Sequence, residues 1–319
     1  MKVLFITATR IGDAVLSTGL INHLVTTYPN CRITVACGPV AAPLFGAIPN
    51  VERVIPMAKK RRSGHWISLW RRCALTWWDW VIDVRGSATA YFLPTLRRSV
   101  IGRDQDEHRV ERYAKVIGVS PPPLPRLWTA KAHKELASEL IPNGPPVLAV
   151  GPTANWIGKQ WRAERFAELI FRLTGEGGIL PGARVALFGA GNERIAAKPV
   201  IESVPEDRRI DLVGKADLLT ATACLERCRF YVGNDSGLMH MAAASGLPTL
   251  GLFGPTLDAL YAPWGENSAV VRTDVPFLEL FGEDHGATFD HTTTGTLMDS
   301  LSVDKAERAA RDLWGRRHA

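Results

Sequence analysis

The sequence has few of the features that mark secreted, metal-binding or membrane-spanning proteins. Its five cysteines are an odd number in 319 residues and form no CxxC pair, so they support neither a disulfide framework nor a zinc site. No uncharged run reaches the ~18 residues of a spanning helix. The first residues, MKVLFITATRIGD, lack the apolar core and cleavage site of a signal peptide. We therefore expect a cytoplasmic protein.

Two common nucleotide-binding motifs are also missing. The stretch GPTANWIGKQW has six residues between Gly151 and Gly158, and Gln160 replaces the Ser or Thr that would hold magnesium, so it is not a Walker A motif. In LFGAGNER, Arg194 stands where a dinucleotide fingerprint has its third glycine. This argues against an oxidoreductase that binds a nicotinamide cofactor.

Positive charge is concentrated in the first part of the chain. Residues 1–130 contain 18 Lys and Arg against 8 Asp and Glu, whereas the remainder contains 20 against 24. The front half therefore favours an anionic partner, and charge alone leaves nucleic acid, an anionic lipid surface and a phosphorylated substrate open.

Short buried strands alternate with helix-length segments along the whole chain, which is typical of parallel α/β architecture. The predicted strands are Val3–Ile6, Ile33–Ala36, Trp80–Asp83, Val147–Val150, Arg184–Phe188, Phe230–Val232 and Thr249–Leu252. The predicted helices include Ala14–Thr27, Arg109–Ile117 and Ala163–Thr174. Prolines at 121–125 and 142–146 predict two doubly wound domains, 1–143 and 144–302. A last helix near Val303–Arg317, capped by Ser302, is expected to pack back on the first domain.

Ligands of such sheets bind beyond the carboxyl ends of the strands, so the turns after strands are the places to search. After the first strand, Gly12 allows a tight turn and Asp13 enters the first turn of a helix. Asp13 is either a general base or a charge that complements the helix dipole. Lys159 is either a phosphate contact or a solvated lysine. Glu193 is either a ribose or base contact or a surface residue.

The stretch FYVGNDSGLMHMAAASGLPTLGLFGPT, residues 230–256, carries the strongest signal. Asp235, Ser236 and Gly237 lie where a buried strand becomes a helix, so free amides and the positive end of the helix dipole would face a bound diphosphate. His240 follows Ser236 by one turn on the same helix face. Asp235 or Ser236 could instead cap the helix, and His240 could be a core residue.

With these residues in place, the chain resembles glycosyltransferase family 9, the lipopolysaccharide heptosyltransferases. The matching segments are RIGDAVLSTGL, GKQW, GNER and VGNDSGLMHMAAASGLPTLGLFGPT, in that order from residue 10 to residue 256. The resemblance implies a GT-B fold, in which two Rossmann-like domains face each other across a cleft, with the acceptor on the first and the nucleotide sugar on the second. It also implies inverting transfer of heptose from ADP-heptose to a lipopolysaccharide inner-core acceptor.

The resemblance assigns roles to individual residues. Asp13 would be the base, and Lys159 would stabilise the departing diphosphate with the helix start at Ser236–Gly237. No metal ion or other cofactor would then be required, because fixed positive charge replaces it. The donor site would comprise Gly12, Thr153, Asn155, Glu193, Asp235, Ser236, Gly237, Leu238, Met239 and His240. DQD at 104–106 invites comparison with metal-binding DxD transferases, but lies in a charged connector.

The segment KKRRSGHWISLWRRCALTWWDW combines tryptophan and arginine, which suits an anionic membrane surface that carries a lipid-linked acceptor. On a helix, Trp66, Trp70, Cys73 and Trp77 would share one face; the alternative is a helix packed on the core. The acceptor and membrane candidates are Lys59, Lys60, Arg61, Arg62, Trp66 and Trp70. This interpretation places the enzyme at the cytoplasmic surface of the inner membrane, as a peripheral protein without a nucleic-acid partner.

Three alternatives differ in chemistry. A transferase of the same fold could use another nucleotide sugar, because no residue pattern specifies the base or the sugar. A non-catalytic relative could retain nucleotide-sugar binding without turnover. A nucleic-acid-binding protein is supported by the basic front half alone.

Overall fold

The computed structural model describes residues 1–102, 106–281 and 294–316. By its contacts the chain divides into two compact units, unit 1 from Met1 to Ala130 and unit 2 from Lys131 onward. This division falls before the predicted boundary at 143/144, and the segment between the two positions contains a helix that contacts another helix of unit 2. All five cysteines are buried and free.

Unit 1 is built on a five-stranded parallel sheet with the order β3-β2-β1-β4-β5. Its elements are β1 (Lys2–Ile6), α1 (Ile11–Thr27), β2 (Arg32–Cys37), β3 (Val51–Pro56), α2 (Gly64–Cys73), β4 (Trp78–Asp83), β5 (Thr95–Val100) and α3 (Arg109–Ile117). The order reverses between β1 and β4, and in doubly wound sheets such a switch point opens the crevice where ligands bind.

Unit 2 repeats this arrangement with six parallel strands in the order β11-β10-β9-β6-β7-β8. Its elements are α4 (Lys131–Leu140), β6 (Val147–Gly151), α5 (Ala163–Thr174), β7 (Arg184–Leu187), α6 (Arg194–Ser203), β8 (Arg209–Asp211), α7 (Leu218–Leu225), β9 (Phe230–Asn234), α8 (Gly237–Ala244), β10 (Thr249–Phe253), α9 (Asp258–Tyr261), β11 (Ser268–Arg272) and α10 (Val303–Gly315). Its switch point lies between β6 and β9.

The predicted α/β class with two doubly wound parallel sheets is confirmed. All seven predicted strands are present, and all seven are interior strands of their sheets. Interior strands of parallel sheets are apolar on both faces because helices cover both, which makes them visible in a sequence. The four strands that the sequence did not predict, β3, β5, β8 and β11, are the four sheet edges.

The last helix, α10, packs on unit 2. Its apolar residues Val303, Ala306, Ala310 and Leu313 belong to the same buried core as β6, β9 and α5. The Ser302 hydroxyl caps the helix as predicted, because it accepts a hydrogen bond from the Lys305 amide at 3.3 Å. Contact between this helix and the first domain stays a prediction.

None of the helices in the described part of the chain is both long enough and apolar enough to span a membrane.

Candidate functional site

An ion pair lies at the switch point of unit 2, beyond the carboxyl ends of β6 and β9. The Lys159 ammonium is 2.6 Å from an Asp235 carboxylate oxygen. The side chain of Lys159 is 22% exposed and that of Asp235 is 8% exposed, so the pair is largely withdrawn from water. The two residues come from different loops, 76 positions apart, and the fold brings them together.

Helix α8 begins directly beside this pair. Ser236 precedes the helix in extended conformation, and His240 is the first residue whose amide bonds back along it, to the Ser236 carbonyl at 3.5 Å. The amides of the first helical turn therefore have no acceptor within the helix, and they lie at the positive end of its dipole. The Ser236 side chain does not cap these amides. Open amides beside a lysine are suited to binding a phosphate group.

Asn234 organises the loop that carries Lys159, a role that the sequence analysis did not assign. Its side chain is fully buried, donates to the Pro152 carbonyl at 2.8 Å and accepts from the Trp161 amide at 3.1 Å. The indole of Trp161 is buried and donates to the Leu301 carbonyl at 2.9 Å. The Asn234 side chain therefore fixes the path of the Lys159 loop relative to the end of β9.

Thr153 and Glu193 meet across the loops that follow β6 and β7. One Glu193 carboxylate oxygen accepts from the Thr153 hydroxyl at 3.0 Å and from the Ala190 amide at 2.8 Å. The loops after β7 and β8 also lie close together: the Gly214 amide donates to the Gly189 carbonyl at 3.0 Å. Glu193 therefore holds two loops in place, a role that its sequence motif did not indicate.

The other predicted donor residues of unit 2 differ in accessibility. Asn155 is exposed on its loop, and Leu238 is half-buried beside Gly151. Met239 is fully buried and its sulfur lies against Gly251, so its backbone amide is the part available to a ligand. His240 is also buried, with 4% exposure.

Three hydroxyls near this end of the sheet lack a hydrogen-bond partner among the described residues: those of Tyr231, Ser236 and Thr256. Burial raises the pKa of Tyr231 well above its ordinary value. The nearby Ser236 hydroxyl opposes the increase, and the charges of Glu193 and Asp235 add to it. Because its pKa is raised, the phenol of Tyr231 is protonated at neutral pH. The sequence analysis missed Tyr231, because its pattern fits an ordinary buried strand residue.

In unit 1, the predicted base lies at the corresponding switch point. Gly12 and Asp13 are half-buried in the first turn of α1, which follows β1. Asp83, at the end of the neighbouring strand β4, is fully buried and was not predicted. It accepts from the amides of Arg85 and Ser87 at 2.7 and 2.8 Å. Burial raises the pKa of Asp83, and these hydrogen bonds oppose the increase. The sequence Asp-Val-Arg-Gly-Ser, residues 83–87, at the end of a buried strand was the available signal for this turn.

The family model described as "Glycosyltransferase family 9 (heptosyltransferase)" matches residues 78–283, well over half of the chain. This protein belongs to glycosyltransferase family 9. Lipooligosaccharide heptosyltransferase 2 of Haemophilus influenzae is 26% identical over 313 residues, which cover 85% of this chain and 88% of that protein. The resemblance inferred from the four motifs is thus confirmed.

Solved structures of the family share the fold. ADP-heptose lipopolysaccharide heptosyltransferase II of Escherichia coli superimposes with a TM-score of 0.75 at 22% identity, over 100% of both chains. A glycosyltransferase family 9 protein of Veillonella parvula gives a TM-score of 0.80 at 20% identity, over 99% of this chain and 97% of that one. These similarities assign this family 9 chain to the GT-B fold class.

Residues 1–102, 106–281 and 294–316 contain no group of three or more His, Cys, Asp or Glu side chains that could hold a metal ion. Of the DQD stretch, Asp104 and Gln105 lie outside the described residues. The run Lys59, Lys60, Arg61 and Arg62 is exposed.

The predicted tryptophan face of α2 is divided between core and solvent. The helix ends at Cys73, which is buried with Leu69, while Trp66 is half-buried and Trp70 exposed. Trp77 lies beyond the helix and is also exposed. One side of α2 therefore packs on the core, as the second alternative predicted, and another is exposed; contact with a membrane stays a prediction.

Proposed function

We propose that this protein is an inverting, metal-independent glycosyltransferase that moves heptose from ADP-heptose to an inner-core acceptor of lipopolysaccharide. The observation that carries the proposal is the Lys159–Asp235 pair beside the open amides of α8, in a chain that belongs to the heptosyltransferase family. The E. coli structure named above is of an enzyme described as using ADP-heptose, and the H. influenzae relative as acting on lipooligosaccharide.

In the proposed reaction, Asp13 takes the proton of the acceptor hydroxyl. The hydroxyl oxygen forms a bond to the anomeric carbon from the face opposite the diphosphate, which inverts the configuration. The bond between the anomeric carbon and the diphosphate oxygen breaks, and ADP departs with the electron pair.

The negative charge that develops on the diphosphate is met by two features of unit 2. Lys159 supplies a full positive charge, and the main-chain amides of Ser236, Gly237, Leu238 and Met239 supply oriented dipoles at the start of α8. Because Asp235 is paired with Lys159, its carboxylate fixes the ammonium without leaving an uncompensated negative charge near the diphosphate. Fixed groups of this kind require no magnesium for the same electrostatic effect.

The remaining donor residues would bind the rest of the nucleotide sugar. Glu193 and Thr153, joined at the ends of β6 and β7, would contact the nucleoside, with Asn155 on the same loop as Thr153. His240 and Asp235 would contact donor hydroxyls or phosphate oxygens. Gly12 would give the donor or acceptor close access to the backbone beside Asp13.

An ADP-release assay with lipopolysaccharide core fragments tests this function. The wild type should release ADP only when both ADP-heptose and acceptor are present. Asp13→Asn should lower kcat at least ~100-fold, the range of general-base catalysis, while ADP affinity stays within about twofold. Glu107→Gln, in unit 1, is the control and should leave the rate unchanged. Equal rates for wild type and Asp13→Asn would rule out Asp13 as the base.

A panel of nucleotide sugars separates the proposal from its alternatives. A ligand that binds the folded state raises the melting temperature by mass action, so ADP-heptose should give the largest shift. Larger shifts with UDP or GDP sugars would assign another donor. Binding of ADP-heptose without acceptor-dependent ADP release would indicate a nucleotide-sugar-binding protein without turnover.

We also propose that the protein works as a peripheral protein on the cytoplasmic surface of the inner membrane. Large apolar side chains are exposed on one part of unit 1, here called the docking face: Ile67, Trp70, Leu75, Trp77, Tyr91, Phe92 and Leu96. Contiguous exposed apolar residues of this size mark interaction surfaces. The docking face draws on α2, the segment between α2 and β4 that carries Leu75 and Trp77, the segment after β4, and β5. The Trp70 indole donates to the Phe92 carbonyl at 3.0 Å and so joins α2 to the segment after β4.

The charges around the docking face favour an anionic bilayer over a protein partner. Residues 53–78 contain seven Lys or Arg and no Asp or Glu, and residues 84–102 contain three Lys or Arg and no Asp or Glu. Arg71, Arg72 and Arg97 are exposed within this region. Each such cation is worth about 1 kcal/mol near an anionic membrane surface, and exposed tryptophans insert at its interface.

Sedimentation with lipid vesicles tests the docking face. The protein should bind vesicles that contain phosphatidylglycerol and leave pure phosphatidylcholine vesicles in the supernatant. Trp77→Ser combined with Phe92→Ser should weaken binding by about tenfold, since both lose apolar area that would leave water. Phe171→Ser removes an equally exposed aromatic from unit 2 and is the matched control. Equal binding to the two kinds of vesicle would contradict the proposal. Binding to DNA as strong as the binding to phosphatidylglycerol vesicles would also contradict it.

A further inference from the structure

A tightly bonded turn after β4 carries Arg85. The buried Asp83 carboxylate accepts from three consecutive amides, those of residues 85–87, at 2.7, 3.1 and 2.8 Å. It also accepts from the Ser87 hydroxyl at 2.5 Å. Gly86 supplies the left-handed backbone conformation that the turn requires, with a φ of +68°. The backbone of Arg85 is therefore fixed relative to the end of β4.

This turn borders the crevice where the proposed base lies. Asp83 is paired with Ile6, the last residue of β1, and the chain that leaves β1 leads to Asp13 in the first turn of α1. The loops after β1 and β4 are thus the two loops at the switch point of unit 1. Arg85 therefore comes from a loop that borders the proposed acceptor site.

The Arg85 guanidinium lacks a counter-charge in the described chain. Its Nη1 atom is buried without a hydrogen-bond partner, and no ion pair in the described part of unit 1 includes this side chain. Asp83 is the carboxylate nearest along the chain, but its oxygens are already bonded to the turn. Arg85 is half-buried, so part of the guanidinium remains open to solvent. A partly desolvated cation of this kind favours binding of an anion.

His65 adds a second unpaired nitrogen near the guanidinium. The Cζ atom of Arg85 lies 5.2 Å from the centroid of the Trp66 ring, and the His65 ring lies 5.0 Å from the Trp66 ring. The Nδ1 atom of His65 is also buried without a hydrogen-bond partner. Burial lowers the pKa of His65, and the charges of Arg85 and Lys59 lower it further. A guanidinium and an imidazole therefore contact one indole in positively charged surroundings.

We propose that Arg85 is an acceptor-binding residue that, together with His65, holds an acidic group of the acceptor sugar, either a carboxylate or a phosphate ester. The planar guanidinium presents parallel N–H groups that match two oxygens of either anion, and the imidazole supplies a further donor. This inference rests on the proposed transfer reaction and adds the chemical class of sugar that unit 1 binds. Asp13 acts on the hydroxyl, and Arg85 selects the sugar that carries it.

The transfer assay with water-soluble lipopolysaccharide core fragments tests this role. Arg85→Gln should raise the acceptor KM at least about tenfold, the loss expected for a hydrogen bond to a charged group, and leave kcat within about twofold. Arg85→Lys should lie between the two proteins, because it keeps the charge and loses the planar fork. A lower kcat with an unchanged acceptor KM would overturn the proposal.

Arg126→Gln is the matched control in unit 1. The Arg126 guanidinium lies 5.3 Å from the Trp128 ring, so its contact with an indole is similar to that of Arg85. Its replacement should leave the acceptor KM unchanged. An equal increase in KM for Arg126→Gln and Arg85→Gln would show an effect of lost charge in general and would overturn the assignment of a specific site.

Chemically modified acceptors identify the anionic group. The assay is repeated with core fragments that have been dephosphorylated and with fragments whose carboxylates have been reduced to alcohols. The difference in KM between wild type and Arg85→Gln should disappear with one of the two, and that one has lost the group that Arg85 binds. A difference that persists in full with both modified fragments would overturn the proposal.

Direct binding separates failure of this inference from failure of the proposed function. Calorimetry with the unmodified fragments, without any donor, should show at least about tenfold weaker binding for Arg85→Gln and about two- to tenfold weaker binding for His65→Leu. If the fragments bind in this order but no ADP is released, the transferase function fails and the anion site stands. If the wild type transfers heptose and Arg85→Gln binds the fragments equally well, the anion site fails and the function stands.

Discussion

Neutralising Lys159 should separate its contribution to folding from its contribution to donor binding. Lys159→Met keeps the length of the side chain but leaves the Asp235 carboxylate, 8% exposed, without its cation. Exposed ion pairs contribute ~0–1 kcal/mol, whereas breaking a fully buried pair costs ~3–5 kcal/mol. The 22% exposure of Lys159 places this pair between those limits. We therefore expect a loss of about 1–3 kcal/mol in the free energy of unfolding.

The double variant Lys159→Met with Asp235→Asn should regain most of that stability, because no uncompensated charge remains. It should not regain ADP affinity, since the cation that faces the diphosphate is still missing; we expect at least ~tenfold weaker binding in both variants, a loss of ~1.4 kcal/mol or more. Urea unfolding measures the first quantity and calorimetry with ADP measures the second.

An exposed pair on α6 provides the control. Lys198 and Glu202 are 3.6 Å apart with side chains more than 60% exposed, so Lys198→Met should change the free energy of unfolding by less than ~0.5 kcal/mol and leave ADP binding intact. If the double variant were no more stable than Lys159→Met, the burial argument for the pair would be wrong. If Lys159→Met bound ADP as tightly as the wild type, Lys159 would not belong to the diphosphate site.

Three further substitutions test other parts of unit 2. Gly151→Ala should lower the free energy of unfolding by about 1–3 kcal/mol through overpacking against the Tyr231 oxygen, and Tyr231→Phe should recover part of the loss in urea unfolding. Asn234→Ala should cost about 1–3 kcal/mol because it leaves buried backbone groups unpaired, and ADP calorimetry should show weaker binding as the Lys159 loop loosens. Arg311 lowers the pKa of Glu307 below its ordinary 4.5, so the stability from this group is present above that pH and lost as the pH falls. Glu307→Gln should therefore be less stable than the wild type by under ~1 kcal/mol at pH 7, with the difference vanishing in acid; a difference that grows in acid would contradict this.

Motif order was sufficient to identify the family. Asp235, Ser236, Gly237 and His240 lie within one continuous segment at the end of a buried strand, and adjacent residues of a strand and its following helix remain adjacent in space. The positive charge of the front half likewise follows from composition, because surface charge survives folding. The assigned roles of these residues stay predictions that the experiments above address.

Contacts between distant segments were not predictable in the same way. The pairing of Lys159 with Asp235 spans 76 positions, and that of Thr153 with Glu193 spans 40. Each joins two loops that follow neighbouring strands of the sheet, β6 and β9 in the first case and β6 and β7 in the second, so each depends on strand order. Asp83 is a different case, because its hydrogen bonds go to the turn that directly follows it, and only its position beside β1 depends on strand order.

The sequence by itself determined the α/β class, the interior strands, the family and the segment that would bind a phosphate, because these depend on local apolar runs and on short motifs. Tertiary structure decided which strands form the sheet edges, since half-exposed, charged strands such as Thr95–Val100 carry no clear period. It also decided that the Tyr231 phenol emerges beneath α8 through the gap at Gly151 and Gly233. That arrangement requires two strands whose paired residues are 82 positions apart to meet in one register, and register is a property of the folded sheet.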